Sequence, residues 1–337
     1  MASQDLSIAV TGAAGYIGSR VVKRIRTDRP EWSVTALDNF YRGTVRQIGD
    51  VEVQHVDIRH RRELDAALSG ADVVMHLAAI SGVDDCADRP DLAYDVNVTG
   101  TTNVAWFCRK TGAGLVFPMS MAVLGDPDSF PITVEDSRNP MNWYGRTKLL
   151  GERTIESLAD DSFPAHLFLK SNLYGEHEID GDLISKGTVI NFFVDRALAN
   201  EPLTVYQPGS QARNFVHVDD IARAYICSAE RMREQLANGE SGVEKYELGS
   251  DEAPSVMTIA ETVRRLAREE FDREVDISLV DNPRSGETLV KDFSVDTSKT
   301  HDRLGWQPEH KVAESIRTLL RANAGVAPSG DHVEPSL

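Results

Sequence analysis

No stretch of this 337-residue sequence stays apolar for eighteen residues, so nothing in it has the length of a membrane-spanning helix and no membrane partner is expected. Cysteine is scarce. Cys86, Cys108 and Cys227 stand apart, with no Cys-x-x-Cys pair and no histidine at ligand spacing, which argues against a metal site or a disulfide framework and leaves free thiols. Basic residues are in deficit, 36 against 53 acidic, and the resulting charge of −17 repels nucleic-acid phosphates and anionic lipid heads. An acidic surface in which arginine outnumbers lysine suits concentrated salt, so a salt-adapted host is an expectation. Met1–Leu6 lacks the basic and apolar segments of a signal peptide, which gives a cytoplasmic expectation. The length suffices for one large or two smaller cores without staples.

What the sequence does contain is alternation. Short apolar runs at Ile8–Val10, Val34–Leu37, Val51–Val56, Val73–Leu77, Leu115–Met119 and His166–Leu169 are separated by amphipathic stretches at Ile17–Thr27, Arg61–Leu68, Leu92–Thr111 and Trp143–Leu158. Strand-helix alternation of this kind predicts an α/β fold, a doubly wound parallel sheet with helices on both faces. After Tyr174 the pattern loosens through the Gly- and acid-rich stretch Glu176–Gly187 and a helix near Ile190–Ala199, as in a smaller second lobe. The end, rich in Pro, Gly, Ser and acid, reads as a frayed tail.

The first run leads into Thr11-Gly12-Ala13-Ala14-Gly15-Tyr16-Ile17-Gly18 and then a helix. Gly12 permits the tight turn, Gly15 lets the backbone approach a pyrophosphate, and Gly18 lets helix and strand pack closely, while the helix N-terminus faces the anion. Asp38 ends the next strand about twenty residues on, where a carboxylate accepts from both ribose hydroxyls and repels a 2′-phosphate. That favours NAD over NADP, with Arg42 nearby as the opposing feature.

Tyr144 and Lys148 stand one helical turn apart on one face of the predicted helix Trp143–Leu158. A phenol ionises near pH 10, and a neighbouring ammonium together with a nicotinamide cation would lower that value and make it a usable proton acceptor. Ser120, at the end of Leu115–Met119, adds a hydroxyl at the carboxyl edge of the sheet, where open α/β sheets bind ligands.

These residues, together with Asp57-Ile58, His76-Leu77-Ala78-Ala79, Asn97-Val98-Thr99-Gly100-Thr101, Lys170-Ser171-Asn172-Leu173-Tyr174-Gly175, Arg213–Asp220, Arg284-Ser285-Gly286-Glu287 and Leu304-Gly305-Trp306-Gln307-Pro308, resemble the extended short-chain dehydrogenases, above all their NAD-dependent epimerase/dehydratase branch, over residues 6 to 320. The resemblance implies a Rossmann-type NAD-binding domain at 1–174, to which parts of 213–250 return, a smaller α/β substrate lobe at 175–322 and a tail at 323–337. It implies cofactor contacts from Gly12, Gly15, Tyr16, Ile17, Gly18, Asp38, Asn39, Asp57, Ile58, Leu77, Ala78, Ala79 and Asn97, with Asp57 and Ile58 at the adenine and Lys148 on the nicotinamide ribose. Tyr144 would be the acid/base and Ser120 would bond the reacting oxygen, with Ser81, Asn172 and Asn191 against the substrate. Arg213 and Arg284 would pair with its phosphates, which favours a nucleotide sugar, since guanidinium presents forked donors to phosphate. The family usually forms homodimers through a four-helix interface, for which Leu92–Thr111 and Trp143–Leu158 are the candidates.

A 4-epimerase of the UDP-glucose/UDP-galactose type is the expected activity. A sugar dehydrogenase releasing NADH would use the same three residues, and a non-catalytic dinucleotide-binding protein would not need them. Leu124 stands where family members generally carry tyrosine. Met121 and Ala122 replace the Asp-Glu pair of the 4,6-dehydratases, so dehydration is disfavoured. Pocket shape is expected to depend on Ser81–Asp85, Leu124 and Glu176–Gly187.

Overall fold

Alternating residues of the first strand point to opposite faces of a sheet, so Ile8 and Val10 enter one apolar core and Ala9 the other. The computed structural model describes residues 5–282 and 288–324. Its central sheet contains β1 (Ser7–Thr11), β2 (Ser33–Asp38), β3 (Gln47–Ile48), β4 (Val51–His55), β5 (Val73–His76), β6 (Gly114–Pro118) and β7 (Pro164–Lys170). The strand Gly242–Leu248 completes it in the order 242–248, β7, β6, β5, β1, β2, β4, β3. Every pair is parallel except β3 with β4. The near-continuous burial of β5, β6 and β7 is what strands covered on both faces require. Strand order reverses at β1, which opens a crevice at the carboxyl edge.

Helix Tyr16–Asp28 covers one face together with helix Val218–Asn238, to which Arg20 and Arg24 are tied through Asp219. The chain thus returns to the sheet after leaving it. A third apolar core joins helices Val189–Leu198, Val256–Phe271 and Val312–Asn323 to the parallel pair Leu203–Tyr206 and Ile277–Val280. A short parallel pair, Asn172–Tyr174 with Phe215–His217, bridges the two halves.

The stretch Leu92–Thr111, expected as one helix, divides into Pro90–Tyr94, a π-turn at Asp95–Gly100 and Thr101–Thr111. The wide turn lets Asn97 aim its amide at Ile80 N and O and at Thr147 Oγ1, contacts that a continuous α-helix would trade for surface. The helix Trp143–Ala159 starts where Asn142 Oδ1 accepts from Gly145 N at 2.9 Å. Midway along it, the fully buried Glu152 accepts from Arg138, itself nearly buried, and from Lys245 on the edge strand Gly242–Leu248. This helix is thereby tied to the sheet edge and to the loop at Val134–Arg138.

Removing one partner of a buried ion pair leaves the others uncompensated. Glu152→Ala is therefore expected to lower the unfolding free energy by about 3 kcal/mol, measured by urea denaturation. A loss within the surface-mutation range would show that this cluster does not hold the helix.

Candidate active site

Gly12 turns the chain out of β1 with φ +74°, and a Cβ there would lie 2.6 Å from Ala78 N. A Cβ on Gly18 would lie 2.0 Å from Gly12 O, so only glycine lets the helix Tyr16–Asp28 press its first turn onto the strand end. Gly15 caps that helix without a side-chain acceptor, which leaves its first N–H groups for an anion. Beneath the turn, His76 bridges Thr11 Oγ1 at 2.8 Å and Thr101 Oγ1 at 2.9 Å, and burial holds its imidazole down to about 3, hence neutral.

Asp38 ends β2 beside this turn. One of its oxygens accepts from Ala14 N at 3.0 Å and the other from Phe40 N at 2.7 Å. Burial raises its pKa, a cost expected of a carboxylate kept at the edge of an anion cradle. Arg42, the feature that spoke for NADP, is paired with Asp85. At the far end Ile58 lines the cleft, while Asp57 is engaged by Arg59 at 2.6 Å and by the Asn39 amide at 3.2 Å. The Arg59 guanidinium holds the Asp57 carboxyl well below the usual carboxylate range. The cradle fits a dinucleotide with a free 2′-hydroxyl, since side chains at Gly12 and Gly18 would fill it and Asp38 would repel a phosphate there.

Tyr144, Lys148 and Ser120 meet over the ends of β6 and β7 and line one cleft of about 480 Å³. Lys148 Nζ donates to Pro118 O at 3.1 Å and lies 4.7 Å from the Phe117 ring centre. Burial lowers its pKa to about 8. The phenol of Tyr144 departs from the expected lowering: burial pushes it up to about 12, the Cys86 thiol adds to that, and only a hydrogen bond with Ser120 opposes it. Lys148 Nζ is turned to a backbone carbonyl and the phenol stays high, so ionising the tyrosine needs further positive charge beside that ammonium.

Gly12, Gly15, Tyr16, Ile17, Gly18, Asp38, Asn39, Ile58, Leu77, Ala78, Ala79, Ser81, Asn172 and Arg213 line the same cleft. Arg213 is 5% exposed and donates to Ala212 O and Thr288 O. Three expected contacts stand elsewhere. Asn97 is buried behind the cleft, its amide bonded to Ile80 and Thr147. Asn191 is buried with both amide ends on the Gly175 peptide, so it positions a turn rather than touching substrate. Asp57 is committed to Arg59 and Asn39. Arg284 lies outside the described residues.

Sequence reasoning passed over Lys170 and Lys186 as site residues, although both line the cleft and Lys186 Nζ donates to Ser81 Oγ at 2.9 Å. A lysine closing the acid-rich stretch before Val189 was the available signal. Tyr16 was named for the cofactor, and its hydroxyl also donates to Gly175 O at 2.7 Å, joining the first turn to the second lobe. Among the described residues no group of three or more His, Cys, Asp or Glu is arranged to hold a metal, and no helix is long and apolar enough to cross a membrane.

Comparisons with known proteins bear on the family and the fold. The model of the NAD dependent epimerase/dehydratase family matches residues 8–246. A Methanocaldococcus jannaschii protein provisionally named a UDP-glucose 4-epimerase is 31% identical, covering 93% of this chain and 97% of its own. A UDP-glucose 4-epimerase from Halalkalibacterium halodurans is 28% identical over 92% of this chain and 93% of its own. The solved structure of the Thermus thermophilus UDP-glucose 4-epimerase in complex with NAD superposes with a TM-score of 0.79 at 23% identity, covering 96% of this chain and 100% of that one. By its glycine turn, its Ser-Tyr-Lys constellation and these matches, the chain belongs to the NAD-dependent epimerase/dehydratase family.

Proposed function

We propose that this protein is an NAD-dependent nucleotide-sugar 4-epimerase, of the type that interconverts UDP-glucose and UDP-galactose. The observation that carries this reading is the meeting of Tyr144, Ser120 and Lys148 at the sheet edge, in one cleft with the glycine turn. The printed names of its relatives support it. Residues 1–174, with the returning part of 213–250, serve the cofactor, and 175–322 serve the substrate.

Bound NAD would accept and return the hydride at C4 of the sugar. The chain's own residues move the proton. Tyr144 Oη takes it from the C4 hydroxyl, with Ser120 Oγ orienting that oxygen and stabilising the phenolate. Lys148, held by Pro118 O, brings its ammonium to the ribose and phenolate side. After the 4-keto sugar rotates, hydride returns to the other face of C4 while Tyr144 gives the proton back to the C4 oxygen. Met121 and Ala122 carry no acid or base, so the sugar keeps its other hydroxyls.

We read the working form as a homodimer packed through a four-helix interface. Tyr94 and Trp106 on the 90–111 segment and Leu150 on the catalytic helix are large apolar side chains left 43%, 37% and 42% exposed, and they support that reading. The charge of −17 supports a salt-adapted host, and we place the enzyme in the cytoplasm.

The purified protein should convert UDP-glucose to UDP-galactose without net NADH. Tyr144→Phe should lower kcat by about 10³-fold while NAD stays bound; stoichiometric NADH with no isomer would make the protein a dehydrogenase instead. Because the phenol stands near 12 in the protein alone, its ionisation must be drawn down by the nicotinamide cation and Lys148. The acid limb of the pH–rate profile, where activity rises with phenolate, should therefore lie well below that value. Lys148→Met should move the limb to higher pH, and an unmoved limb would assign it to another group.

A further inference from the structure

Two side-chain pairs join opposite walls of the cleft. β1 lies between β5 and β2 in the sheet, so the glycine turn at its end is flanked by the loops that follow those two strands. Arg42, on the loop after β2, pairs with Asp85, on the segment after β5, and so connects the two sides of the turn. Ser81, also after β5, accepts from Lys186 Nζ at 2.9 Å, and Lys186 belongs to the second lobe. All four residues line the cleft together with Gly12, Gly15 and Gly18.

The stretch that bears Lys186 is fastened to the cofactor side. After Gly175 the chain forms the antiparallel pair His177–Ile179 with Asp182–Ile184, laid against helix Tyr16–Asp28. Ser19 Oγ meets His177 Nε2 at 3.0 Å, and Lys23 Nζ donates to Glu178 O at 2.6 Å. Ile179 and Ile184 enter the same apolar core as Val21 and Ile25. Asn191 Nδ2 then donates to Ser185 Oγ at 3.1 Å, and Lys186 O accepts from Thr188 N, so the backbone is held on both sides of Lys186. With the backbone fixed, only side-chain rotamers remain to be ordered when Lys186 meets Ser81, and only they need to move when the two part.

We propose that the Ser81–Lys186 and Arg42–Asp85 pairs form a gate across the dinucleotide crevice, and that NAD enters and leaves only when both pairs part. The inference goes beyond the reaction and depends on NAD binding alone, so it stands or falls apart from the identity of the sugar. A gate is a barrier and not a contact. Its pairs are intact before the cofactor binds and again afterwards, and are broken only in between. They therefore slow entry and exit by the same factor and leave the affinity unchanged, whereas a group bonded to the cofactor slows exit alone. The hydrogen bond inside the cleft should contribute about tenfold to this barrier. The Arg42–Asp85 pair, whose side chains are 67% and 39% exposed, should contribute about two- to fivefold and be screened by salt.

The test is stopped-flow fluorescence on the full-length protein freed of NAD, measuring entry of NADH and its release into excess NAD, with thermal unfolding recorded for each variant. Ser81→Ala and Lys186→Met should each raise the entry and release rate constants together by about tenfold, with the dissociation constant unchanged. Arg42→Gln and Asp85→Asn should each raise both by about two- to fivefold, and the double variant by no more than either alone. In about 1 M salt the wild type should exchange as fast as Arg42→Gln, which salt should leave unmoved. Faster release with unchanged entry, and affinity weakened to match, would make these residues cofactor contacts and overturn the gate. Unchanged rates in all four variants would overturn it too, and so would failure of NADH to bind the wild type. Should Ser81→Ala or Lys186→Met fold poorly, the exposed pair still decides, since its variants separate joint acceleration of entry and release from acceleration of release alone.

Discussion

One close approach governs the rest: Gly12 O lies 2.0 Å from where any side chain on Gly18 would begin. That contact seats the helix Tyr16–Asp28 directly on the end of β1 and leaves its unpaired N–H groups facing the crevice opened by the reversal of strand order. Ala13 and Ala14 are buried by it, and Asp38 can then reach Ala14 N from the neighbouring strand. His76, neutral and spanning two threonines, fills the space beneath without adding charge that would compete with the carboxylate.

Charge is distributed against the protein's average. The surface is acidic, yet Lys148, Lys170 and Lys186 share one cleft. Burial lowers the affinity of all three for protons and raises that of the Tyr144 phenol, so the acid/base and the ammoniums around it are all held away from their charged forms in the protein alone. Ligand charge then acts where water does not screen it, and a site of this kind responds strongly to a bound cation or anion.

The two lobes meet at Gly175. Its φ of +96° and its contact with the His217 ring exclude a side chain. Asn191 holds its peptide from both ends and Tyr16 from the cofactor side. The stretch after Gly175 therefore starts from a fixed point, and from it Lys186 is carried back to Ser81 across the cleft.

Much of this was readable in one dimension. Short apolar runs could be read as strands because a doubly covered strand must be apolar throughout, and Thr11–Gly18 could be read as a cradle because its glycines answer to local sterics. Tyr144 and Lys148 could be paired because helical spacing alone puts them on one face. Asn97 and Asn191 could not be told from ligand contacts in sequence, since an amide serves a backbone turn as readily as a substrate and only packing decides which it meets. The break at Asp95–Gly100 depended on Ile80 and Thr147, residues distant in sequence, and the tyrosine's high pKa on burial that no local pattern encodes. Sequence by itself determined the periodicities, the glycine positions and the residue types available for chemistry, because these follow from short-range sterics and covalent order. Tertiary structure alone decided which cations share a cleft and which polar groups are already spent, because both depend on long-range contacts and on the exclusion of water.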